Sequence, residues 1–204
     1  MINFFSYKIV RDYGFAPNPF HGLCTLATCK PHVRLKANVG DWIIGSGAKT
    51  TNLEGRIIYA MEIAEKVTFE EYWTNPKFSR KKPIIPAGLI RIHGDNIYYK
   101  ANDEIWHQIP SQHSNPDFSQ NEKHMKNDLS GKYVLVSNSF FYFGNKHFQV
   151  PPQFKEVCST IRDYRKISDA SIAQSFIEYL CRNYQPGVLG DPIDWTEYSQ
   201  RKLF

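Results

Sequence analysis

Two runs, Val39-Gly40-Asp41-Trp42-Ile43-Ile44-Gly45-Ser46-Gly47 and Arg56-Ile57-Ile58-Tyr59-Ala60-Met61-Glu62-Ile63-Ala64-Glu65-Lys66-Val67, separated by a polar loop, decide the fold class. Gly40-Asp41 reads as a turn, and residues 42–45 as a short buried strand. In the second run Ile57, Tyr59, Met61 and Ile63 alternate with Ile58, Ala60, Glu62 and Ala64. An alternation of period two over that length argues a strand with one face in a core. Thr68 is a suitable N-cap for the segment Phe69-Glu70-Glu71-Tyr72-Trp73, whose two acids fall in a first turn, where the helix dipole favours them; Pro76 limits that helix.

Outward from this block, residues 2–10 are aromatic and β-branched and read as a strand, while 11–22 carry two prolines, two glycines and an Asn-Pro step and read as a loop. Residues 23–36 fit either a strand or a short helix. Residues 77–82 form a basic loop, solvated or touching phosphate. Residues 89–100 suggest a hairpin turning at Gly94-Asp95-Asn96. The polar stretch 101–131 reads as one long loop, and such loops are often functional. Residues 132–144 read as a strand pair or one bent strand. Beyond Val150, Phe154, Val157, Cys158, Ile161 and Tyr164 share one helical face. Ile172, Phe176, Leu180 and Tyr184 share another, with Asp169 or Ser168 as its cap. The expected organisation is a β domain over 1–150 and a helical extension over 151–204 that packs on it. A helix-turn-helix reading of the two helices is disfavoured by their neutral charge.

The chain has 204 residues, 42% hydrophobic, 22% charged and 15% aromatic, which suits one globular domain with an appendage and excludes collagen, a coiled coil or a disordered chain. No apolar run reaches the roughly 18 residues of a membrane helix, so no membrane partner is expected, and the start does not read as a signal peptide. Four cysteines at this length read as reduced thiols in a cytosol, and a cytoplasmic location is expected. The net charge of +5 is uneven: residues 1–100 hold 14 Lys and Arg against 8 Asp and Glu. That excess is compatible with a phosphate-bearing partner, and also with ordinary solubility charge.

The densest polar cluster lies at 11–34, with Arg11, Asp12, Asn18, His21, Cys24, Cys29, Lys30, His32 and Arg34. Asp12 and Asn18 fit a ligand-binding edge, or simply the backbone of a turn. Cys24 and Cys29 with His21 and His32 are metal-ligand types, but without finger spacing, and no metal is expected. Cys24 could be a nucleophile with His21 or His113 as base and Asp12 or Asp128 orienting it; a cysteine on an apolar strand is more often an inert hydrophobe. A second cluster holds Asp95, Asn96, Gln108, Ser111, His113, Ser114 and Asp128. His113 is its candidate general acid or base, against the plainer alternative of a solvated histidine. Walker, GxGxxG, HExxH and GxSxG motifs are absent, so no cofactor is assigned. Among the aromatics, Tyr13 or Trp42 could stack on a base, although most such rings belong to a core.

The strings RDYGFAPNPFHGLCTLATCKP (11–31), VGDWIIGSG (39–47), GRIIYAMEIAEKVTFEEYW (55–73), GDNIYY (94–99) and VLVSNSFFYFG (134–144) resemble the nucleotide-modification-associated domain family of the second type, over about residues 1–150. That family occurs in phages and bacteria beside genes for modifying DNA bases. More loosely, 39–73 is similar to EVE and PUA-like barrels, which hold a nucleobase in an aromatic and polar pocket. The resemblances imply an α+β fold, a mainly-β PUA/EVE-like barrel with flanking and C-terminal helices, that binds a nucleotide or a base in nucleic acid, DNA before RNA. Asp12, Asn18, His21 and His113 would grip the base, with Ser46, Asp95, Asn96 and Ser114 near it. Trp42 or Tyr13 would stack, and Lys30 and Arg34 would meet phosphate. In an enzyme His113 or His21 would carry the proton, with Asp12 or Asp95 as partner and Cys24 as a further nucleophile. The alternatives are a non-catalytic reader of modified bases, and a subunit that binds partner proteins of a modification or defence complex through the 153–184 helices.

Overall fold

The computed structural model describes residues 2–102, 104–161 and 163–195. In chain order the elements are β1 (Phe4–Ile9), β2 (Cys24–Leu26), α1 (Pro31–Lys36), β3 (Trp42–Gly47), β4 (Arg56–Glu62), β5 (Glu65–Thr68), α2 (Phe69–Thr74) and α3 (Leu89–Ile92). They continue with β6 (Tyr98–Lys100), β7 (Trp106–Gln108), α4 (Glu122–Leu129), β8 (Tyr133–Ser137), β9 (Ser139–Tyr142), β10 (Phe148–Gln149), β11 (Tyr164–Lys166), α5 (Ala170–Asn183) and β12 (Gly187–Val188). The chain divides into two compact units, one from 1–13, 37–64 and 137–204, the other from 14–36 and 65–136.

The first unit is built on an open seven-stranded sheet in the order β11-β1-β3-β4-β9-β12, with β10 also paired to β4. The deciding runs of sequence are its centre. All six residues of β3 are buried, with β1 parallel on one side and β4 antiparallel on the other. Gly45 has no room for a side chain: a Cβ there would lie 2.3 Å from the Tyr59 ring. Tyr59 in turn donates its hydroxyl to Tyr7 at 2.7 Å. Trp42 and Ile44, two residues apart and so on one face, join a core with Phe141, Phe143, Phe176 and Leu180. Phe176 and Leu180 come from α5, whose N-cap Asp169 accepts from Ser171 N and Ile172 N.

The sheet does not close. Its edges, β11 and β12, are three and two residues long and do not pair with each other, so the expected barrel is not formed and the fold is mixed α and β with several sheets. The expected helix over 154–164 is also absent. A 3₁₀ turn at Pro152–Val157 gives way to β11, because Arg165 donates to the carbonyls of Glu156 and Cys158, and Ser159 N donates to Ser46 Oγ. Those groups would otherwise continue a helical ladder.

The second unit holds the sheet β2-β8-β5 and the pair β6-β7. Thr68 caps α2 with a full capping box to Glu71, as its sequence indicates. Residues 89–100 are not a hairpin. The segment makes the short α3, then crosses the interior, where Asp95 and Asn96 are buried, and β6 pairs with β7 instead. Gly94 allows this crossing, since a Cβ there would sit 2.3 Å from Lys81 O. The stretch 101–131 is not one loop either: it contains β7 and α4, the latter capped by Asn121. No helix among the described residues is long and apolar enough to cross a membrane.

Candidate functional site

In the first unit four expected site residues take part in the fold. Asp12 accepts from Tyr142 OH and, at 3.2 Å, from Ile193 N, while its own N–H donates to Asp194. It lines a depression of about 200 Å³ with Val10, Leu53, Ile193 and Asp194. The Tyr13 carbonyl accepts from Trp195 Nε1. Trp42 is a core ring and Ser46 anchors Ser159 N.

In the second unit, one buried network surrounds Asn18. Its side chain donates to the Gly14 and His93 carbonyls and accepts from Lys81 Nζ at 2.7 Å. Lys81, at the end of the basic segment 77–82, is buried and also donates to the carbonyls of Asn18 and Leu23. Burial lowers this amine to about 8. Asp95 accepts from Thr25 and Tyr72 hydroxyls, both at 2.7 Å, and burial raises its pKa. Asn96 donates to the Tyr72 carbonyl. Cys24, in β2, is fully buried. His21 is half-buried, and burial followed by the charges of Arg80, Lys81 and Arg91 lowers its pKa.

A second network surrounds Asp128, which is 0% exposed. Its Oδ2 accepts from His113 Nδ1 and from Tyr98 OH, each at 2.7 Å, and its Oδ1 accepts from Cys29 N at 2.7 Å. The other imidazole nitrogen, His113 Nε2, lies 3.6 Å from Cys29 Sγ. The His113 ring is held between Phe15, edge-on at 4.8 Å, and His124 at 4.2 Å. Ser114 and Ser111 shape the turn that carries it: Ser111 N donates to Ser114 Oγ and His113 N to Ser111 Oγ. Burial opposes charge on His113, but its hydrogen bonds to Asp128 and Cys29 and their charges prevail and raise it to about 10. Asp128 is lowered by the same imidazole, by Tyr98 and by the Arg34 charge, against the effect of burial.

Local sequence explains why Cys29 is there. β2 ends at Leu26, and Pro31 opens α1, its fixed φ suited to a first helical position. Between them the chain turns sharply, with Cys29 at φ 58° and Lys30 at φ 41°. Left-handed backbone at two successive non-glycine residues is costly and persists only where surroundings hold it. Asp128 holds the Cys29 N–H, and Arg34 Nε holds the Cys29 carbonyl at 2.9 Å. Arg34 Nη1 donates to the carbonyl of Tyr133 and Nη2 to that of Asp128. Arg34, expected at phosphate, is therefore fully buried, and burial lowers it to about 10, which leaves it charged at neutral pH. Lys30, half-buried, follows Cys29 directly.

The structure thus brings His113 together with Cys29 and Asp128, both named in the polar clusters but not among the chosen site residues. The signal available was Pro31 two residues after a cysteine that follows an apolar strand. The same three side chains are also the one His, Cys, Asp or Glu group among the described residues that could hold a metal ion, their ligand atoms lying within 4.8 Å of one another. Chemically the set can move a proton between sulfur and imidazole over a fixed carboxylate. No curated protein and no solved structure matches the chain. The family model for nucleotide modification associated domain 2 matches residues 1–199, which include every strand and helix described and the whole Cys29–His113–Asp128 set, and the chain belongs to that family.

Proposed function

We propose that the chain binds a nucleotide or a nucleobase, DNA or its nucleotides before RNA, and acts on the base in the unit formed by 14–36 and 65–136. The observation that carries this reading is the His113–Asp128 pair beside a half-buried Cys29, in a chain of the nucleotide-modification family. His113 carries the proton. Asp128, rather than Asp12 or Asp95, orients it, because its carboxylate accepts from Nδ1 and leaves Nε2 as the working nitrogen. In this reading Lys30, next to Cys29 in sequence, meets a phosphate, and the excess of basic residues in the first hundred supports an anionic partner.

The test is thermal unfolding with a panel of nucleotides, nucleosides, modified nucleosides and short single- and double-stranded DNA. Ligand at 100 times its Kd stabilises the folded state by about 2.7 kcal/mol, which raises Tm measurably. The expected result is a concentration-dependent rise with at least one nucleotide or DNA, and turnover that His113→Gln abolishes while binding persists. A rise with binding but no turnover under any condition would make the chain a reader of modified bases. No rise with any of the panel overturns the reading.

A further inference from the structure

We infer that Cys29 is a covalent nucleophile, activated by His113 and Asp128, that forms a transient bond to an unsaturated carbon of a nucleobase. The inference rests on the nucleotide reading above and adds the reacting atom.

One carboxylate organises the whole set. Asp128 Oδ1 fixes the Cys29 backbone and Oδ2 fixes the imidazole, so Sγ and Nε2 are presented to each other from a single buried anchor. A cysteine that merely fills space needs neither a strained left-handed backbone nor a carboxylate-held imidazole at its sulfur. Cys24 and Cys158 are buried, whereas Cys29 is partly open to solvent.

The step balances without an added reagent. The reacting form is the pair of Sγ thiolate and His113 imidazolium, with the proton they share held on Nε2. Sulfur forms an S–C bond to an sp² carbon of the base, and the π pair of the attacked C=C, C=N or C=O bond moves to its far atom. The imidazolium proton neutralises the charge there. Reversal restores Cys29: the added proton returns to Nε2, the electron pair re-forms the C=C, C=N or C=O bond, and the S–C bond breaks as sulfur leaves as thiolate. A thiolate is a soft nucleophile, so the unsaturated carbons of a base suit it better than phosphorus.

The wild-type protein contains its own control, Cys181, which is exposed on α5. Under limiting iodoacetamide at pH 6.5, with sites resolved by peptide mass, exposure alone predicts faster alkylation of Cys181. The inference expects Cys29 to react at least roughly tenfold faster than Cys181, with the advantage lost in His113→Gln. Equal or slower alkylation of Cys29 in the wild type overturns it, with no dependence on whether a variant folds. So does stoichiometric zinc that blocks alkylation until a chelator is added, since the three residues would then be a metal site. Nucleotides of the four bases are then added as protectants. Fast alkylation of Cys29 that none of them slows leaves the nucleophile standing and overturns the nucleotide reading. Slow alkylation alongside a nucleotide-dependent rise in Tm does the reverse.

Discussion

Two buried bases in the second unit respond to pH with opposite signs. His113 is raised to about 10, so its contribution to stability is fully present below its ordinary value of about 6.5 and is lost as pH rises toward 10. Lys81 is lowered to about 8 by burial, so the cost of keeping it charged is full below that pH and is gone by about 10.5. In the wild type the two trends offset each other between pH 8 and 10. We expect His113→Gln to destabilise by about 3–5 kcal/mol at pH 6, because it removes the charged partner of a buried carboxylate, and the deficit to shrink steadily by pH 10. Denaturant midpoints of both proteins at pH 6, 8 and 10 measure this; a deficit that stays constant with pH would show that the imidazole is neutral in the fold. Lys81→Met tests the other sign. It leaves the Asn18 and Leu23 carbonyls and Asn18 Oδ1 without their donor, at a cost of about 1–3 kcal/mol at pH 7, and the penalty should grow above pH 8, where the wild type sheds the cost of its buried charge. A penalty that falls between pH 8 and 10 would contradict the assignment. At this scale the sequence names titratable residues but not their partners. His113 and Asp128 are 15 positions apart and Cys29 is 84 from His113, and only the packed fold brings such separations together.

At the scale of elements, β4 was legible because period-two alternation is a local property, β3 because a short apolar run after a Gly-Asp turn reads as a buried strand, and α2 and α5 because their caps, Thr68 and Asp169, are adjacent in sequence. The 154–164 segment was not legible. Its apolar spacing fits a helix, and what ends the helix is Arg165 reaching back to two carbonyls together with Ser46 from a distant strand. The same holds for Gly94-Asp95-Asn96, whose turn-like composition marks a buried crossing. For β3 the consequence is testable. Gly45→Ala would press a methyl into Tyr59 and Ile9 at 2.3–2.6 Å, in a strand with no exposed residue. Overpacking of that kind costs about 1–3 kcal/mol, so the denaturant midpoint should fall, and restoring space with Gly45→Ala in a Tyr59→Leu background should recover part of it. Simple additivity of the two changes would show that the ring is not the obstacle.

At the scale of the molecule, the chain crosses between two units several times, and the sequence clusters that suggested a single pocket fall into both. Asp12, Tyr13, Trp42 and Ser46 belong to the first, and Asn18, His21, Asp95 and His113 to the second. This arrangement lets a residue that supports the fold be tested apart from the one proposed to react. Asp12 accepts from Tyr142 OH and Ile193 N, so Asp12→Ala leaves buried donors unsatisfied and should lower stability by about 1–3 kcal/mol. Its nucleotide-dependent rise in Tm should nevertheless match that of the wild type. Cys29→Ala leaves the Asp128 anchor intact through the backbone N–H of residue 29, so it should retain the same nucleotide-dependent rise while losing all turnover and all adduct. The readout is Tm against nucleotide concentration for the three proteins, with intact mass measured on each. If Asp12→Ala abolishes the rise while Cys29→Ala keeps both the rise and turnover, the ligand belongs to the depression beside Asp12 in the first unit, and the chemistry assigned to the second unit is wrong.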